Sequence, residues 1–365
     1  MKPEIIHIAE SFTGGVFRFL KILAHELPDF THVIFHGRRP FTPEVPEKQF
    51  PPDTELVPWN GVRREICFAD ITAFQELHGF LKKRVRETPD TVIHLHSAKA
   101  GFLGRLSAAL LGTGRSVLYT PHAAPFLRTD IPPGERRIFL GLEKLAARLA
   151  GTVVCCSASE AAAFRSHNIP AEFICNGLPS ARPVAHTPAD NVFRVVTTGR
   201  ISAQKGPDRF RNLAALFSDQ NDIQFTWIGD GPDRETLDMA NIHVTGWLSE
   251  QEVSTRLGAS DLYLSTARWE GMSLSVIAAM SSGLALLLSD CTGNRDMVRS
   301  GWNGFLFRTE KEAAKRIREI RATRELVKSL GQNALTHFRK NFTSAIMARN
   351  YYQKYRNILK IKDAE

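Results

Sequence analysis

The stretch Asp261-Leu-Tyr-Leu-Ser-Thr-Ala-Arg-Trp-Glu270-Gly-Met-Ser-Leu-Ser-Val-Ile-Ala278-Ala-Met-Ser-Ser-Gly283-Leu-Ala-Leu-Leu-Leu-Ser-Asp290 decides the fold. It reads as strand, polar loop, helix, glycine, strand. Leu262 to Leu264 is a short apolar run of the kind a buried parallel strand needs. Ser273 is placed to cap the helix that follows, and Gly283 to end it. Leu284 to Leu288 supplies the next strand. Glu270 and the backbone N–H groups of Gly271, Met272 and Ser273 then fall at the carboxyl edge of a parallel sheet, where open α/β sheets bind ligands. A helix N-terminus suits a phosphate, and a carboxylate suits sugar hydroxyls. Together they suit a sugar joined to a diphosphate.

Outward from this stretch, strand–loop–helix units recur along the whole chain. Ile5 to Ala9 reads as a first strand, followed by Gly14-Gly15 and an amphipathic helix from Val16 to Leu27. Paired glycines there serve either a tight turn or a close approach of backbone to a ligand. No G-x-G-x-x-G follows the strand, so a dinucleotide fingerprint is absent. Val92 to Leu95 is a strand running into His96-Ser97-Ala-Lys99. His96, Ser97 and Lys99 are candidate acceptor contacts, with Ser97 equally suited to cap the next helix. Val117 to Tyr119 ends in Thr120-Pro121-His122-Ala123, which holds a histidine directly after a strand. Ser180 to Asn191 is polar, carries Pro183 and Pro188, and reads as an interdomain linker. Phe193 to Thr198 opens a second domain, with Gly199-Arg200 and Lys205-Gly206 behind it. An arginine at a strand end and a lysine five residues on can converge on one diphosphate.

These features resemble the retaining family-four glycosyltransferases, which have the α/β GT-B fold of two facing Rossmann-like domains. The resemblance rests on Glu270-Gly-Met, Arg200 with Lys205, Thr-Pro-His122-Ala and Gly14-Gly15, and it covers nearly the whole chain. It implies an acceptor-side domain at 1–180, a nucleotide-sugar domain at 190–342, and a final helix, about 343–365, crossing back to the first domain. It implies donor contacts at Gly14, Gly15, Arg200, Lys205, Gly246, Glu270, Gly271, Met272, Ser273 and position 278. Arg200 and Lys205 correspond to a diphosphate clamp, and His122 to a residue beside the donor sugar and reacting centre. The family motif is Glu, seven residues, Glu. Glu270 matches the first, but the second position holds Ala278. The resemblance thus implies retaining transfer of a hexose-type sugar from a nucleoside diphosphate sugar to a glycan or lipid-linked glycan in polysaccharide biosynthesis. Two alternatives are a non-catalytic GT-B subunit that binds a partner transferase or glycan, which Ala278 favours, and a nucleotide-sugar epimerase. No metal or other cofactor is expected, since fixed cations meet the diphosphate and no Asp-x-Asp site is present.

Composition narrows the setting. The chain has 365 residues, a natural length for two domains. Its net charge of +9 resides in the C-terminal segment: residues 308–365 carry 15 basic and 6 acidic side chains. That excess suits either an anionic membrane surface or a solvated helix face. Nucleic acid is not expected, because no binding module accompanies the charge. Met1 to Ile8 lacks the apolar core of a signal peptide, and no apolar run is long enough to span a bilayer. Five cysteines without metal-type pair spacing fit a reducing cytoplasm. A cytoplasmic protein, peripheral at the inner face of the membrane, is the expected localisation.

Overall fold

The computed structural model describes residues 2–39, 41–63, 65, 67–180 and 192–360. The chain divides into two compact units. The first comprises residues up to 127, 131–176 and the chain from 344 onward; the second comprises 128–130 and 177–343. The expected linker lies, beyond Ser180, outside the described residues.

In the first unit the order is β1 (Glu4–Ala9), α1 (Gly14–Glu26), β2 (Thr31–His36), β3 (Glu55–Pro58), α2 (Ala69–Glu87), β4 (Thr91–His96), α3 (Ala98–Leu110), β5 (Val117–Thr120), α4 (Pro133–Leu149), β6 (Thr152–Cys155), α5 (Ala158–Arg165) and β7 (Ala171–Phe173). In the second it is β8 (Phe193–Thr198), α6 (Pro207–Ala215), β9 (Ile223–Ile228), β10 (Ile242–Val244), α7 (Glu250–Gly258), β11 (Leu262–Ser265), α8 (Leu274–Ser281), β12 (Ala285–Ser289), β13 (Gly304–Phe307), α9 (Glu310–Arg321) and α10 (Arg324–Asn341). The last helix, α11 (Ser344–Leu359), belongs to the first unit.

Both sheets are parallel, in the orders β3-β2-β1-β4-β5-β6-β7 and β10-β9-β8-β11-β12-β13. The strand order reverses between β1 and β4 and between β8 and β11. A crevice opens beyond the carboxyl ends at such switch points, so Glu10, Ser97, Gly199 and Thr266 stand where each unit has room for a ligand.

The two faces of the first sheet differ. Ile6, Ile8, Val33, Phe35, Ile93, Leu95, Val117 and Tyr119 point to one side and join an aliphatic and aromatic core with Leu77 and Leu81 of α2. Side chains alternate along a strand, so His7, His32, His94 and His96 share the opposite face. There α1 and α11 cover them: Phe19 packs edge-on against Tyr351, at 5.5 Å between ring centroids, and Tyr351 and Tyr355 are fully buried. The second unit has the more usual core, built from Val195, Phe225, Leu262, Leu264, Leu287, Phe210 and Ile317.

Several local expectations change. Helix α1 begins at Gly14, so the glycine pair forms its first turn. Strand β4 extends through His96, which is therefore a strand residue. The chain beyond Thr309 is three helices broken at Ala322-Thr323 and Phe342-Thr343.

Candidate functional site

The second unit gathers a charged cluster at the ends of β8 and β11. Lys205 lies in the turn after β8, and its Nζ stands 2.7 Å from Glu270 Oε1 and donates to Ser273 Oγ at 3.3 Å. Gln204 Nε2 donates to the Trp269 carbonyl at 3.1 Å and to Glu270 Oε2 at 3.5 Å. Glu270 is 6% exposed. Its Oε1 is ion-paired with the Lys205 ammonium inside the protein, and a carboxylate oxygen has lone pairs enough to accept a ligand hydroxyl as well. Burial pulls the Lys205 ammonium down, but the Glu270 carboxylate and Tyr263 outweigh it and hold its pKa above the usual lysine value. The group carries a full charge at neutral pH.

The backbone around this cluster is pressed together by glycines. Gly293 has φ +82°, and a Cβ there would stand 2.6 Å from the Gly271 carbonyl oxygen and 3.2 Å from Glu270 Cβ. Any other residue would push the Glu270 loop out of place. Asn294, fully buried beside it, donates to the Ser289 carbonyl at 3.1 Å. Gly271, Met272 and Ser273 are all buried. Ser273 is the N-cap of α8, yet its side chain makes no capping bond, because its hydroxyl faces Lys205 instead. Arg200 is exposed immediately after β8. Gly246, at φ +75°, bridges to Gly229 at the end of β9. Ala278 is partly exposed on α8, one turn beyond Ser275; its carbonyl accepts the Ser281 and Ser282 hydroxyls at 2.8 and 3.0 Å.

The first unit presents a different edge. His122 and Ala123 both have positive φ, +55° and +87°. The turn aims the successive N–H groups of Ala123 and Ala124 into one anion-binding concavity. Here Glu160 fills it: Oε1 accepts from Ala123 and Ala124 at 2.9 and 2.8 Å, while Oε2 accepts from Cys156 N at 3.0 Å. No strand-end motif in the sequence marks Glu160, which opens α5, where Ser157 caps the helix by accepting from the Glu160 N–H.

Three expectations on this edge meet obstacles. His96 is fully buried, and both its ring nitrogens are bonded within the protein. Lys99 Nζ is held by Asp70 Oδ1 at 2.7 Å and by the Arg63 and Glu65 carbonyls. Ser97 forms no capping bond and has φ +70°; Glu10 Oε2 takes the Ala100 N–H of α3 at 2.9 Å. Gly14 and Gly15 are exposed, with open space where a Cβ would be.

The histidines also define the one cluster among the described residues that has metal-ligand spacing: His7, His94 and His96 each put a nitrogen within 4.8 Å of the others. All six nitrogens are already engaged. His7 bonds His96 and His32, His94 bonds Tyr355 and Thr120, and His96 bonds His7 and His122. The arrangement is that of a hydrogen-bonded network.

The family described as "Glycosyltransferase Family 4" matches residues 13–182, and that described as "Glycosyl transferases group 1" matches residues 183–337. An "Uncharacterized 41.2 kDa protein in cps region" of Klebsiella pneumoniae is 23% identical over 97% of this chain and 99% of its own length. The UDP-Gal:alpha-D-GlcNAc-diphosphoundecaprenol alpha-1,3-galactosyltransferase of Escherichia coli is 27% identical over 65% of this chain and 66% of its own. Among solved structures, sucrose-phosphate synthase from Thermosynechococcus elongatus superposes with a TM-score of 0.83 at 18% identity, covering 99% of this chain and 100% of the other. Anabaena HepE, in complex with UDP and glucose, gives 0.76 at 16% identity, covering 97% and 100%.

Proposed function

The chain belongs to the GT-B glycosyltransferases of the family-four type, and on that premise we propose that it transfers a hexose from a UDP-sugar to a hydroxyl of a lipid-linked glycan, with retention of configuration. The observation that carries this reading is the Lys205–Glu270–Ser273 cluster, a buried carboxylate paired with a charged lysine at the start of α8. Lys205 and Arg200 meet the charge that develops on the leaving diphosphate. Glu270 accepts from donor-sugar hydroxyls, and the Gly271 to Ser273 segment opens α8 toward the phosphates. Fixed cations then do the work that a divalent metal does elsewhere. The names of the relatives support the acceptor class: one acts on a diphosphoundecaprenol-linked sugar and another lies in a cps region. We assign the chain to polysaccharide synthesis on that basis.

A peripheral membrane position belongs to the same proposal. Among the described residues, no helix is long and apolar enough to cross a membrane. Within the basic segment 308–365, the last helix offers little apolar surface, since Tyr351 and Tyr355 are buried. Helix α4 is better suited. Ile138, Leu145 and Leu149 are 62%, 48% and 39% exposed, and Arg137 and Arg148 are exposed beside them. Apolar side chains rimmed by arginine match an anionic interface.

The test pairs UDP-glucose, UDP-galactose and UDP-N-acetylglucosamine with a polyprenyl-diphosphate sugar, with product detection by mass spectrometry. Transfer from one donor is expected. Glu270→Ala should lower transfer about a hundredfold, the scale of losing one transition-state contact, while UDP affinity stays within about twofold. Equal losses of transfer and UDP binding would move Glu270 away from the sugar. Binding without turnover would make the chain a glycan-binding subunit, and donor isomerisation would make it an epimerase.

A further inference from the structure

The buried histidines of the first unit form one continuous line. It begins at the carbonyl of Leu27, just past α1. His32 Nε2 lies 3.1 Å from that oxygen. His32 Nδ1 is 3.1 Å from His7 Nε2, and His7 Nδ1 is 3.1 Å from His96 Nε2. His96 Nδ1 is 3.0 Å from His122 Nε2. The line ends where His122 Nδ1 meets Cys156 Sγ at 3.5 Å. It crosses β2, β1 and β4 and the loops after β5 and β6, which are neighbours in the sheet.

A neutral imidazole has one N–H and one acceptor nitrogen. A carbonyl can only accept. His32 must therefore donate from Nε2, which leaves Nδ1 as an acceptor. His7 must then donate from Nε2, and the same constraint passes to His96 and to His122. At the far end, His122 Nδ1 accepts from the Cys156 thiol. Reversing the line would set the His32 Nε2 lone pair against the Leu27 oxygen inside the protein. We propose that this line is a tautomer relay: the Leu27 carbonyl, acting through His32, His7 and His96, locks His122 as the Nε2–H form with both ring nitrogens turned into the protein. His32, His7 and His96 are positioning residues. His122 shapes the loop that Glu160 holds and takes no part in proton transfer. This last consequence rests on the proposed glycosyl transfer, whereas the relay itself does not.

Two observations agree with neutral rings throughout. Burial pushes His122 down to about 3, and lowers His32, His7 and His96, the last two strongly. Burial also pushes the Cys156 thiol well up, which keeps its proton in place to donate.

Long-range proton–nitrogen correlation spectra of the full chain, labelled with nitrogen-15 histidine and recorded without substrate, read each tautomer directly. His32, His7, His96 and His122 are all expected as Nε2–H. Any one of them as Nδ1–H would overturn the relay. The His32→Phe variant removes the anchor, so His122, three residues along the line, should pass to a mixture in which the Nδ1–H form is detected. His32→Gln keeps a donor for Leu27 and an acceptor for His7, and should restore the single form. A folded His32→Phe with unchanged His122 signals would also overturn the relay; should that variant fail to fold, the unmodified spectrum still decides. Separately, the pH profile of kcat/KM for transfer should have no limb that disappears in His122→Gln. Such a limb would refute the positioning role of His122 while leaving the tautomers to stand on the spectra.

Discussion

The two units share a parallel, doubly wound topology but bury different polar clusters against their sheets. The first buries neutral histidines in a network where each ring bonds its neighbour. The second keeps a full ion pair, Lys205 with Glu270, beside a serine and a glutamine. A buried imidazole avoids the desolvation cost of charge by staying neutral. A buried ion pair carries that cost and is retained where charge is of use. The histidine line is therefore built to hold shape, and the Lys205–Glu270 pair to meet a charged ligand.

Acid should break the comparison most strongly. Burial lowers His7, His32, His36, His94, His96 and His122 in the first unit, and among the described residues only His337 in the second. A histidine lowered in the folded state binds its proton first when unfolded. Its contribution is fully present above the ordinary pKa of about 6.5 and is lost as pH falls toward the folded value. Each such residue contributes a slope of up to about 1.4 kcal/mol per pH unit. Amide exchange followed by mass spectrometry, corrected for intrinsic rates, should show β1 and β4 opening at higher pH than β8 and β11. Simultaneous opening would remove the distinction.

Charge removal tests the second edge. Lys205→Ala should weaken UDP binding by about 1.5–3 kcal/mol, the worth of a hydrogen bond to a charged group. Titration calorimetry with unchanged affinity would dissolve the proposed clamp. Ala278 permits a sharper test, because the family motif places a carboxylate there. Ala278→Glu should tighten UDP binding by about 1–3 kcal/mol, reduced by the desolvation of the new group, and the gain should vanish with a 2′,3′-dideoxy nucleotide. The same gain for both nucleotides would place position 278 away from the ribose.

The smallest effect concerns helix α4. Ile138→Ser with Leu145→Ser should reduce binding to vesicles containing anionic lipid by about 1–3 kcal/mol, the area-based worth of two partly buried side chains. Cosedimentation at increasing salt separates this apolar term from the arginine contribution. Equal binding by the double variant would leave the exposed residues without a lipid role.

The sequence alone determined the alternation of strands and helices, because each strand is a short apolar run and each helix has its own periodicity. It also located Lys205, Glu270 and Ser273, which lie at the ends of legible strands and meet across adjacent loops. The signal at Ser273 pointed to a helix cap, and only tertiary contact revealed that its hydroxyl serves Lys205. The histidine face was harder to read. His-Ile and His-Leu alternation in β1 and β4 has the period of a half-solvated strand, yet both faces are buried. The cover comes from α11, whose Tyr355 lies 261 residues from the His94 it bonds. No local pattern encodes a partner that distant. Lys99 reads as a candidate acceptor contact, and its ion partner was hidden for the same reason, since Asp70 reaches it from a separate helix. A strand, a turn or a cap is decided by neighbours in sequence. The polar partner of a buried side chain is decided by which segments the folded chain brings together.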